Sequence, residues 1–139
     1  VIIMRRHSPI VLGLVLLCAG CGALGNLFSS TSPSSSTSTD MFNSALTVGG
    51  SSFSTFTVSQ AGTVTVQLTA LGAAGPVGLG LGTPNGTTSC VLTTSSASVV
   101  PGGSPQISAT ENPGNYCAEI FDPGTLTATT TFAITVVHP

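Results

Sequence analysis

The run Gly114-Asn115-Tyr116-Cys117-Ala118-Glu119-Ile120-Phe121-Asp122-Pro123-Gly124 holds a thiol, two carboxylates and the chain's single tyrosine between two glycines. Glu119 and Asp122 could be the acid and base of a glycosidase, which needs two carboxyls facing one cleft at a defined separation. Three positions apart, running from a strand into a turn, they need not converge. Calcium takes six or more oxygens, and Glu111, Asn112, Asn115 and Asp122 are a weak candidate set for it. Cys117 with Cys90 could be a disulfide or a pair of reactive or metal-binding thiols. The second option wants histidine or more cysteine close by.

Nucleophilic catalysis has little to work with. A Ser–His–Asp system needs a base, and the histidines are His7, near the N-terminus, and His138, next to last. No G-x-S-x-G elbow occurs. Gly78, Gly80 and Gly82 alternate with apolar residues and do not complete G-x-G-x-x-G, so they mark close packing or a bend in a strand. Asn85-Gly86-Thr87 is a glycosylation sequon that reads as turn chemistry. The residues predict no enzyme and no cofactor.

Of the 139 residues only 4% are charged, and the two basic ones are Arg5 and Arg6. Neutralising phosphates requires Lys or Arg, so nucleic acid is excluded as a partner. Docking on anionic lipid by charge is excluded for the same reason.

Arg5 and Arg6 form a positive start, residues 9–17 a short apolar run, and Ala19-Gly20 a small-residue site before Cys21. The run falls short of the roughly 20 residues of a membrane span and fits a secretory signal, with Met4 as the expected initiator. Ala19-Gly20-Cys21 resembles the end of the lipobox of bacterial lipoproteins, although Cys18 stands where Leu is usual. The resemblance implies a signal peptide over residues 1–20 and acylation of Cys21. An ordinary cleaved signal is the alternative. Gly22-Ala23 lacks the Asp of an inner-membrane retention signal, which points to the outer membrane, again by resemblance.

Residues 29–40 are Ser or Thr at ten of twelve positions. They cannot bury a core, and residues 21–40 are expected to be a disordered tether. As a flexible coil this length reaches about 20–30 Å. Ser/Thr glycosylation of the tract is also open.

Whatever chemistry the chain has must be positioned by residues 41–139. Thr63-Val64-Thr65-Val66-Gln67-Leu68-Thr69-Ala70-Leu71 alternates strictly, with Val64, Val66, Leu68 and Ala70 on one face. Such alternation is a half-buried strand. Residues 129–137 repeat it, with Phe132, Ile134 and Val136 inward. Weaker candidates are 53–58, 77–81, 89–94, 106–110 and 116–121, separated by Gly, Pro and Asn turns. Seven to eight short strands predict an antiparallel β-sandwich. In 116–121, Tyr116, Ala118 and Ile120 point inward, and Cys117, Glu119 and Phe121 outward. Tyr116 is expected to hydrogen-bond a loop through its hydroxyl, as a corner tyrosine does. An exported domain of this size benefits from a staple, and a Cys90–Cys117 bridge would contribute about 3–4 kcal/mol on the chain-entropy model.

The stretches "FTVSQAGTVTVQLTAL", "VGLGLGTPNG" and "NPGNYCAEIFDPGTLTATTTFAITV" resemble the bacterial pre-peptidase C-terminal domain family over most of residues 50–139. The resemblance implies a jelly-roll-like, non-catalytic module. The family's Asp-Leu pair before the Pro-Asn-Gly turn is replaced here by Gly78-Leu79-Gly80-Leu81, so neither a peptidase link nor that Asp's metal role carries over.

The leading expectation is a non-catalytic, lipid-anchored, extracytoplasmic β-sandwich of the bacterial envelope. Its partners would be the membrane, through Cys21, and an envelope protein or its own copies. The alternative is a freely secreted or anchored carbohydrate-binding module, with Phe53, Phe56 and Phe121 as candidate glycan contacts. Phe53 and Phe56 have opposite parity, so one of them faces outward.

Overall fold

Short β-branched runs broken by Gly and Pro turns form eight strands: β1 Ser38–Leu46, β2 Ser51–Val58, β3 Gly62–Leu71, β4 Val77–Asn85, β5 Ser89–Val99, β6 Ile107–Glu111, β7 Gly114–Phe121 and β8 Thr130–His138. This computed structural model describes residues 36–72 and 75–139. The signal segment, Cys21 and most of the expected tether lie outside the described residues.

The strands make two antiparallel four-stranded sheets, β1-β8-β3-β6 and β2-β7-β4-β5. Every connection except the β4–β5 hairpin passes from one sheet to the other, which is the order of a jelly roll. The inner faces meet in one apolar layer, with Val64, Val66, Leu68 and Ile134 on one side and Val58, Leu79, Leu81 and Ile120 on the other. Each large side chain buried there contributes about 1.5–3 kcal/mol.

Seven strands fall where alternation and turns predict them. The eighth, β1, is new, and it begins at Ser38, inside the stretch assigned to the tether. It pairs with β8 over all nine of its residues. As an edge strand it is exposed almost throughout and buries only Leu46 fully, with Phe42 packed edge-on against Phe132. A strand with so few inward residues shows no period in its sequence.

Two other departures have local causes. A bulge between Leu68 and Ala70 shifts the phase of β3, so Ala70 is exposed and Leu71 packs on the core instead. β6 is short, and beyond it the Gln106 side chain continues the pairing by accepting the Leu68 N–H at 2.7 Å.

Candidate functional site

The outer face of β2-β7-β4-β5 carries the residues singled out for chemistry. Register places Phe53 opposite Glu119 and Thr55 opposite Cys117 on one side of β7. On the other side Gly78, Gly80 and Gly82 stand opposite Phe121, Glu119 and Cys117. The glycine alternation therefore belongs to the outer face, and each glycine lies beneath a neighbour. A Cβ on Gly78 would collide with the Phe121 ring. One on Gly80 would sit 2.6 Å from the Leu92 side chain, and one on Gly82 would strike the Val91 carbonyl.

Cys90 and Cys117 form a disulfide across this face, with Cα atoms 6.0 Å apart. The two strands are not neighbours, since β4 lies between them. In a flat sheet strands two apart are separated by roughly 9–10 Å. The bulge between Leu81 and Gly82, and the missing side chain at Gly82, let β5 fold over β4 and close that distance.

The bridge marks the start of a groove. β4 pairs with β7 only as far as Gly82–Cys117. Continued in register, Thr83 would meet Tyr116 and Pro84 would meet Asn115, and proline has no N–H to donate. Beyond that point the hairpin tip, with Gly86 at φ +62°, stands away from the start of β7. The space between, about 680 Å³, is lined by Phe53, Thr55, Thr57, Asn115, Pro84 and Thr87, with Ser54, Phe56 and Gly86. No charged residue lines it. The Thr57 hydroxyl donates to Asn115 Oδ1 at 2.9 Å, which orients the amide and leaves its N–H₂ without a partner among the described residues.

The three candidate aromatics part company here. Phe56 is in the core, 7% exposed, stacked on Tyr116 at 6.1 Å and tilted against the His138 ring at 5.0 Å. That position removes it as an exposed stacking surface, because inward parity turns its ring under the sheet. Phe121 covers Gly78, so one face of its ring is occupied. Phe53 faces outward, half-buried, at one end of the groove.

The carboxylates do not converge. Asp122 is held at the far end of β7. Gly49 N–H donates to its Oδ2 at 2.8 Å, and the N–H groups of Gly124, Thr125 and Leu126 donate to its Oδ1 at 2.8, 2.8 and 3.1 Å. Donation from Gly49 above all, and then from Leu126, Thr125 and Gly124, outweighs desolvation and holds its pKa at about 2. Seven residues of extended strand, about 23 Å, separate it from Asn115. The loose set of calcium candidates thus divides, with Glu111, Asn112 and Asn115 at one end of β7 and Asp122 at the other. Among the described residues no three His, Cys, Asp or Glu side chains come together as a metal would require.

Tyr116 behaves as a corner tyrosine, its hydroxyl donating to the Asn112 carbonyl at 2.9 Å. Desolvation, then the hydrogen bond and charge of Glu111, raise its pKa above the ordinary value.

His138 is the residue sequence reasoning passed over. It is 5% exposed, and its Nε2 lies 3.0 Å from Asp40 Oδ2. Its parity matches that of Phe132, Ile134 and Val136, a signal that it points inward, but its place beside the terminus hid this. With Asp40 it ties β1 to β8.

Neither a comparison with protein-family models nor one with curated proteins finds a match for this chain.

Proposed function

We propose that the chain is a non-catalytic, lipid-anchored module of the bacterial envelope that holds a partner outside the cytoplasm. The observation that carries this reading is the dispersal of its ionisable groups around an uncharged groove. Asp122 is consumed by four backbone N–H groups and Asp40 by His138, while Glu119 stands alone on the sheet face opposite Phe53. Glu111 is hydrogen-bonded to Tyr116, and among the described residues no two carboxyls are in hydrogen-bond contact. The disulfide points to an oxidising, extracytoplasmic compartment. The lipobox-like Ala19-Gly20-Cys21 supports the anchor, and the resemblance of residues 50–139 to an accessory-domain family supports a role without turnover.

The test is the intact mass of the protein extracted from membranes, with and without reductant. A mass starting at Cys21 with acyl chains, rising by two hydrogens on reduction, is expected. Cys21→Ser should leave the protein in the soluble fraction. An unacylated mass overturns the anchor, and any turnover abolished by Glu119→Gln overturns the non-catalytic role.

A further inference from the structure

We infer that the groove between β2, β7 and the β4–β5 hairpin is a binding site for a neutral glycan chain. This rests on reading the domain as a non-catalytic binding module, and it names what the module binds.

Charge decides the first step. The groove has no ionised lining residue, and residues 36–139 contain no Lys or Arg. An anionic ligand, whether phosphate or uronic acid, finds no counter-charge. A cationic one finds no carboxylate in the lining, since Glu119, across from Phe53, and Glu111, which bonds Tyr116, both stand outside it. The occupant is uncharged.

The lining decides the second step. Phe53 and Pro84 present apolar surfaces, while Thr55, Thr57 and Thr87 present hydroxyls and Asn115 a free amide N–H₂. A pyranose is amphipathic in the same way, with a C–H face that packs on a ring and hydroxyls that exchange hydrogen bonds with short polar side chains. The volume of about 680 Å³ lies within the usual range for ligand clefts, about 300–1,000 Å³. An extended peptide fits less well. Strand addition takes its affinity from a free backbone edge and its specificity from pockets for alternate side chains. The edge left open here is only residues 83–85 against 114–116, too short for a strand to add along it, and Pro84 lacks the N–H such pairing needs.

One wall is fixed by the disulfide. Pro84 pairs with Cys90, and Cys90 is bonded to Cys117 at the last β4–β7 pair, so the hairpin is held at a set distance from Asn115 and Phe53. Such a cleft is formed before its ligand arrives, which lowers the ordering cost of binding.

The experiment is an NMR titration of the mature, disulfide-intact protein. The probes are the neutral hexasaccharides of cellulose, xylan, mannan, amylose and chitin, with hexagalacturonate and a Ser/Thr-rich peptide as contrasts. At least one neutral sugar is expected to give saturable shifts at Phe53, Thr55, Asn115 and Thr87. Phe53→Ala should weaken that binding about tenfold at an unchanged melting temperature, and Phe53→Trp should restore it. Asn115→Ala should weaken it several-fold. Silence from every neutral sugar, equal binding by Phe53→Ala, or a response to galacturonate or the peptide in place of a neutral sugar overturns the assignment. If the sugars fail while a cross-linked envelope partner is still recovered from cells, the glycan is wrong and the module reading stands. If both fail, both are wrong.

Discussion

Asp122 shows how a residue whose type suggests chemistry can serve architecture. Its carboxylate gathers the N–H groups of two loops, the β1–β2 turn at Gly49 and the segment after Pro123. Because its folded pKa is about 2, against 3.8 ordinarily, the sign follows from linkage. The unfolded chain takes up the proton first on acidification. The stabilisation is complete above the ordinary value and is lost as pH falls through about 2. Thermal melts of the wild type should therefore lose stability between about pH 4 and 2. Asp122→Asn should start lower at pH 7 and change less across that window. A wild-type curve that matched the variant's would overturn this. The glycines of β4 give a second prediction. Gly80→Ala meets a movable Leu92 side chain, whereas Gly82→Ala meets the Val91 backbone. Denaturant melts should show a cost of about 1–3 kcal/mol at Gly80 and a larger one at Gly82. The spacing of these glycines was legible as close packing. Which neighbour covers each was not, because Phe121 and Leu92 reach them only through strand pairing.

Two elements depend on partners far away in the chain. The β4–β5 hairpin is held to β7 by the disulfide, whose half-cystines are 27 residues apart. Replacing both by Ser should lower stability by about 3–4 kcal/mol on the chain-entropy model. Hydrogen exchange should then rise first at the hairpin, in residues 83–91, while β3 and β8 remain protected. Uniform loss of protection would mean that the bridge staples the whole domain and not this element. At the opposite edge, β1 is a strand only because β8 offers it nine consecutive partners. Its sequence shares its Ser/Thr character with the stretch before it. A chain beginning after Leu46 should leave β8 as an open edge and expose Phe132, which Phe42 now covers. The expected outcome is association or loss of near-ultraviolet signal, checked by sedimentation and circular dichroism.

The whole described domain is stabilised by apolar burial and backbone pairing, and the one histidine–carboxylate contact among the described residues is His138–Asp40. Salt screens charges and leaves those terms largely alone, so its melting temperature should move little between low salt and 0.5 M NaCl. A large shift would reveal electrostatic support that the structure does not contain. A core truncation such as Leu79→Ala should cost about 2–5 kcal/mol, more than any change of surface charge. Much of this was legible from residues alone. Period-two alternation in 63–71 and 129–137, with Gly and Pro turns between runs, specifies strands, because side-chain direction in a strand follows from backbone geometry. Two cysteines in separate strands of a chain that reads as exported specify a staple. Tertiary structure decided the rest. Strand order determines which outward residues become neighbours, so the grouping of Phe53, Thr57, Asn115 and Pro84 around one groove could not be read along the chain. It also buried Phe56 and His138, separated Asp122 from Asn115, and turned a Ser/Thr-rich segment into β1. In each case the cause is contact between residues distant in sequence, which no local pattern records.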